Sequence, residues 1–155
     1  MGLKKGSFVV ADTVSVDDPY DEDSPGVIRL IQSVPTVVAT VDVCVKEPQK
    51  TQVSLDSMTQ IAVFNPSGAI TSVTFEVKYE VMRNGMTLAT INDEMDYIPT
   101  GPAPDGRHTN FPNFPILDNN PSIGINTYDL VCTNVIGPTP VFVGSRSLKA
   151  TVFEC

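Results

Sequence analysis

Between Thr71 and Thr90 the chain reads TSVTFEVKYEVMRNGMTLAT, and its side chains change character at every step. Val73, Phe75, Val77, Tyr79 and Val81 share one face of an extended segment, while Thr74, Glu76, Lys78 and Glu80 share the other. A period of two is what a strand with one buried and one wet face produces, whereas a helix would scatter these apolar residues around its axis. Asn84-Gly85 follows, the residue pair best suited to the two positive-φ positions of a type I′ turn. From Met86 to Ile91 the alternation resumes. The segment is therefore predicted to fold as a long amphipathic hairpin. It carries no catalytic group and reads as scaffold.

The rest of the chain agrees with this start. Valine dominates the aliphatic residues, and thirteen prolines and ten glycines leave few windows in which a helix could run three turns. At 155 residues there is room for one domain with a proper core, and not for two. The formal net charge of −8 sets the chain against phosphate backbones and anionic lipid heads, so neither nucleic acid nor a membrane surface is an expected partner. No window approaches the roughly 20 apolar residues of a membrane span. The opening MGLKKG places two lysines before an apolar run, but Asp12 stops that run after Ala11, short of the roughly 7 residues a signal peptide needs. Gly6 stands where a myristoylation motif wants Ser or Thr.

Along the chain, residues 1–26 form a distinct region. Phe8, Val10, Val14 and Val16 occupy even positions, interrupted by Asp12, and read as one strand. The following DDPYDEDSPG, with five acidic residues between Asp17 and Asp23, reads as a solvated linker. A strand on such a linker can fold back onto its own sheet or be lent to the edge of a neighbour's. Residues 27–155 form the domain proper, beginning with strands at Val27 to Gln32 and Thr36 to Glu47. In the second of these, Val37, Ala39, Val41, Val43 and Val45 share the core face, which leaves Cys44 on the other face with Val38, Thr40, Asp42 and Lys46. Lys50 to Ser57 and Met58 to Phe64 read as two further strands, ended by the turn Asn65-Pro66-Ser67-Gly68. The proline-rich stretch Pro99 to Pro121 has no sustained period and reads as a long irregular loop, pinned by Phe111, Phe114, Ile116 and Leu117. Strands at Asn126 to Val135 and Val141 to Phe153 close the chain, the first placing Tyr128, Leu130 and Cys132 on one face. Eight to ten strands at this spacing predict an all-β protein, an antiparallel β-sandwich of the jelly-roll type with an N-terminal strand extension.

Reactive residue types are few. His108 stands alone in the proline-rich stretch, without a GxSxG or HExxH window, and is expected to be a solvated loop residue. Two acidic clusters, Asp17 to Asp23 and Asp93 to Asp96, lack the glycine and distal glutamate of an EF-hand, so no metal site and no cofactor is expected. Without tryptophan, support for sugar stacking is thin. Cys44, Cys132 and Cys155 are too scattered for a zinc site. They are either three reduced thiols or include at least one disulfide, with Cys44 or Cys155 bridging subunits. No catalytic residue is assigned.

One resemblance adds to this reading. VTFEVKYEVMRNGMTLAT, NTYDLVCTNV and the final VFVGSRSLKATVFE make the stretch from Val27 to Glu154 resemble small jelly-roll proteins of the spore surface in endospore-forming bacteria, among them exosporium proteins and endospore appendage fibre subunits. The resemblance implies a non-enzymatic subunit of a spore-surface or extracellular fibre, assembled without a signal peptide, whose partners are copies of itself and an anchoring spore-coat or exosporium protein. It also implies that an N-terminal connector reaches into neighbouring subunits, a role that residues 7–16 match by position, with Phe8, Val10, Val14 and Val16 as the lent face. Fibre connectors carry paired cysteines and residues 1–26 here carry none, which leaves strand addition as the mechanism and leaves Cys44, Cys132 and Cys155 for any disulfide. The alternative is a trimeric receptor- or carbohydrate-binding jelly-roll module of a spore or phage surface, bound through the Pro99 to Pro121 stretch.

Overall fold

The structure, a computed structural model of the chain, describes residues 6–65, 73–97, 106–136 and 140–154. The turn expected at 66–68, the head of the proline-rich stretch and Cys155 lie outside the described residues. Among the described residues are ten strands: β1 (Phe8–Val14), β2 (Ile28–Arg29), β3 (Thr36–Val45), β4 (Thr51–Asn65), β5 (Val73–Arg83), β6 (Met86–Tyr97), β7 (Gly106–Asn110), β8 (Asn113–Asp118), β9 (Gly124–Ile136) and β10 (Val141–Glu154).

β5 and β6 are the expected hairpin, joined by Asn84 at φ 49° and Gly85 at φ 79°. Asn84 also exchanges two hydrogen bonds with the backbone of Thr127 in β9, donating from its amide at 2.8 Å and accepting through Oδ1 at 2.9 Å. The remaining pairings nest around this turn: β4 with β7 and β8, β3 with β9, and β1 and β2 with β10, all antiparallel. The chain is a long double ribbon whose tip is the Asn-Gly turn. Rolling the ribbon brings β4 against β10 and β5 against β9, and leaves two sheets. One runs β1 and β2, β10, β4, then β7 and β8; the other runs β3, β9, β5, β6. That connectivity is a jelly roll, so the chain is the antiparallel β-sandwich that its alternation predicts.

Both inner faces meet in one core, in which Phe75, Val77, Tyr79 and Val81 of β5 face Leu55, Ile61, Leu148 and Ala150 of the opposite sheet. Each of the valine, leucine, isoleucine and phenylalanine side chains contributes about 1.5–3 kcal/mol by leaving water. Tyr79 satisfies its hydroxyl by donating to Ser57 Oγ at 2.7 Å, and burial pushes its pKa up to about 12.

Four expectations need correction. Val37, placed on the core face, is 52% exposed, because a bulge between Val37 and Ala39 shifts the register and turns Val38 inward. The two strands expected between Lys50 and Phe64 are one 15-residue strand. Of Val27 to Gln32, only Ile28 and Arg29 pair as a strand. The stretch expected to be an irregular loop contains β7 and β8, both on the edge of β4. Pro115 is tolerated in β8 because an edge strand has one side without partners, where a missing N–H costs nothing. Phe114 and Ile116 pack on the core, whereas Phe111 and Leu117 remain exposed.

At the hairpin end of the sandwich, the buried Arg83 donates from Nη1 to Asp118 Oδ1 and Oδ2 at 2.9 and 2.8 Å and to Asn120 O at 2.6 Å. Tyr128 donates its hydroxyl to the same carboxylate at 2.8 Å, and burial raises the pKa of that phenol strongly. The group ties the ribbon tip to the β8–β9 connection. Arg83→Met would strand the Asp118 carboxylate, and a loss of about 3–5 kcal/mol in urea unfolding is expected, against a much smaller loss for the exposed Arg29→Met.

Candidate functional site

Chemistry in this molecule concentrates where the N-terminal strand meets the body. β1 runs antiparallel to the last strand of its own chain, from Phe8 opposite Val152 to Val14 opposite Arg146. Val10 and Val14 turn inward and are half-buried, Val16 is 8% exposed, and Phe8 lies at the rim at 42%. Of the four residues predicted to form the apolar face, three sit on it within one chain. The structure therefore holds the fold-back arrangement, one of the two that the sequence left open.

Asp12, which interrupts the apolar pattern, points inward with Val10 and Val14 and is half-buried. Its Oδ2 accepts the Thr40 amide of β3 at 3.0 Å, so β1 is bonded to both sheets at once. Beside it lies Arg146, 7% exposed, at a bulge in β10 between Val143 and Arg146. Its Nε donates to Val38 O at 2.7 Å, at the bulge of β3, and its Nη1 donates to Gly26 O at 2.7 Å and Gly144 O at 3.0 Å. Burial lowers the Arg146 pKa, while the negative charge of Asp12 works in the opposite direction. This corner was missed in the sequence. Its signal was a carboxylate at an inward position of an otherwise apolar strand, matched by an arginine at an inward position of β10.

The segment after β1 is not the solvated linker its composition predicts. Val16 donates its amide to Ser145 Oγ at 2.9 Å, and Pro19 is buried over Gly144 of β10. Tyr20 lies beneath Arg107 of β7, with the guanidinium carbon 5.0 Å from the ring centroid, and its hydroxyl bonds Thr109. The chain then returns, and Gly26, at φ +87°, packs its backbone against Val14 and Val16. Residues 17–26 form a strap over the outer face of β10, β4 and β7. Apolar contacts at Pro19 and Tyr20 override the acidic composition, because Asp17, Asp18, Asp21, Glu22 and Asp23 all project to solvent. Asp18 and Asp21 cap local turns, and Glu22 pairs with Arg29 at 3.1 Å. Among the described residues no group of three or more His, Cys, Asp or Glu is placed to hold a metal ion.

Cys44 and Cys132 are free thiols. Cys44 lies exposed opposite Ile125, while Cys132 lies on the inner face of β9 seven positions further along, about 24 Å away at strand rise. A disulfide spans at most about 7 Å between Cα atoms, so these two cannot form a bond with each other. Burial pushes the Cys132 thiol up to about 12, which leaves it protonated and inert. His108, expected in solvent, is half-buried in β7 with its ring 5.9 Å from that of Phe75. Its Nε2 bonds Asn110 Oδ1 at 2.7 Å, and Asn110 Nδ2 donates to Asp93 Oδ1 at 2.7 Å, a relay across the seam between the sheets.

No family model matches the sequence, and no curated protein matches it. Solved structures of similar shape include dimeric latent PorU from Porphyromonas gingivalis, at 10% identity and a TM-score of 0.49, covering 98% of this chain and 13% of that one. Two others come from the T13 particle of IBDV and from the Gt strain of infectious bursal disease virus. Both are 12% identical, with TM-scores of 0.45 and 0.44, and each match covers 97% of this chain. The chain spans 32% and 34% of those two proteins.

Two outcomes are expected. Maleimide should modify Cys44 in the native protein and Cys132 only in denaturant, as read by peptide mass. Burial raises the Asp93 pKa, against the Asn110 hydrogen bond and the charge of His108, so its carboxylate costs stability once pH rises above the ordinary aspartate range. Asp93→Asn keeps the oxygen that accepts from Asn110, and its thermal midpoint should gain on the wild type as pH goes from about 4 to about 7.

Proposed function

We propose that this protein is a non-enzymatic structural subunit that assembles with copies of itself by exchanging β1, as the subunit of a spore-surface or extracellular fibre. The observation that carries the proposal is the seat on β10. It is an edge position filled by a terminal strand, and every contact of that strand can be made equally by the same strand of another copy. Its inner face is apolar, which supplies affinity, and Asp12 supplies register. A shift by one residue would take the carboxylate away from Thr40 and Arg146 and turn Val9 and Ala11 inward. Head-to-tail exchange of this kind need not close, and an open series of such contacts is a fibre. Location on the spore surface, and an anchoring coat or exosporium protein, rest on the resemblance of Val27 to Glu154 alone.

Ala11 and Lys149 are cross-strand partners on the outer face, at a spacing a disulfide can bridge. In a chain with Ala11→Cys and Lys149→Cys, and with Cys44, Cys132 and Cys155 replaced, oxidation after concentration should give a ladder of covalent multimers on a non-reducing gel. Locked monomers alone, at every protein concentration, would overturn the proposal.

A further inference from the structure

We infer that the strap of residues 17–26 is the element that decides between a closed monomer and exchanged chains; the inference rests on the exchange reading above and adds its control. The contacts of β1 with β10 and β3 are the same whichever copy supplies the strand, so they cancel in the exchange equilibrium. What differs is the segment that connects β1 to its own body.

In the closed form that segment is a loop whose ends touch. Gly26 packs against Val14 and Val16, and its middle is docked through Pro19 on Gly144 and through Tyr20 on Thr109 and Arg107. When β1 is seated on a neighbour, Gly26 stays with its own domain, because Ile28 and Arg29 remain paired with Val143 and Phe142. Residues 15–26 must then bridge the two copies. Fully extended they reach about 40 Å, which is ample, but an extended segment cannot keep its middle docked on the sheet. The docking contacts of Pro19 and Tyr20 exist in the closed form alone and set its population. The five carboxylates between Asp17 and Asp23 work the other way, since their mutual repulsion relaxes as the strap extends.

Gly144 records how close the docking is. A Cβ at that position would stand 2.8 Å from Pro19 Cβ and 2.5 Å from Gln60 Oε1. A methyl group there lifts the strap without touching β1. Tyr20→Ala removes the other anchor from a half-exposed position outside the core, so it keeps the test open if Gly144→Ala fails to fold.

The experiment compares Tyr20→Ala and Gly144→Ala with their parent, the full chain carrying the Ala11→Cys and Lys149→Cys trap described above. Hydrogen exchange of the amides from Val16 to Val27 reports the strap, and the interchain fraction after oxidation reports β1. Loss of either anchor should raise strap exchange and interchain product together, each by roughly tenfold. Faster strap exchange with an unchanged interchain fraction overturns the latch, as does unchanged strap exchange in both variants. The exchange reading is scored separately, by interchain product in the parent. Product in the parent that neither variant increases defeats the latch and leaves exchange standing, and no interchain product in any of the three chains defeats both.

Discussion

A single guanidinium holds the corner on which both sheets turn. Arg146 is almost fully buried, and a buried cation is costly unless its donors are satisfied and its charge is answered. Its donors reach carbonyls of three separate segments: Val38 on β3, Gly26 at the end of the strap, and Gly144 on its own strand. Two of those carbonyls are available because the strands bulge there. The bulges of β3 and β10 are therefore not independent irregularities, since each presents backbone to the same side chain. The opposing charge comes from Asp12, on the strand furthest from Arg146 in sequence. Strap, edge strand and sheet corner are coupled through one residue.

The second constraint is the turn at Asn84-Gly85. In a ribbon folded back on itself, every pairing outside the tip inherits its register from the pairing inside it. Asn84 holds the tip in place by bonding Thr127 in the neighbouring strand, and Arg83 holds it by gripping Asp118. Local turn chemistry and a long-range ion pair meet at adjacent residues. The nested pairings β4 with β8 and β3 with β9 then follow with their apolar positions already facing inward.

How much of this could be read from the sequence depended on whether one rule governed a segment at a time. The hairpin, β9 and β10 were legible because period two runs through them with few interruptions, and a turn signal marks the hairpin. β3 was legible apart from Val37, where the bulge adds a residue that no pattern announces. β7 and β8 were hidden because they are short and punctuated by Pro112 and Pro115, and their strand character comes from pairing with β4 rather than from local propensity. The strap was misjudged for a related reason. Its composition is that of a solvated segment, and two residues out of ten, Pro19 and Tyr20, decide its path. For the candidate site, Val10, Val14 and Val16 were found by alternation. Asp12 was seen only as an interruption, since its two partners, Thr40 and Arg146, are brought to it by the fold.

The sheet margins explain why the β1 seat differs from the others. β6 carries Glu94 and Asp96 exposed along its length, charges that discourage addition of another strand. β8 breaks its outer edge with Pro115, which has no N–H to offer. β3 gives its Thr40 amide to Asp12, so its margin is partly closed by β1 itself. The edge of β10 from Arg146 to Val152 has no proline and a single exposed charge, Lys149. Without β1 it would present a row of backbone groups above Leu148, Ala150 and Val152, next to a guanidinium whose answering carboxylate had gone. An empty seat is therefore unfavourable. In the exchange proposed above, the choice is which copy of β1 fills the seat, and the residues that bear on it lie in the strap, at Pro19 and Tyr20, rather than in β1 itself.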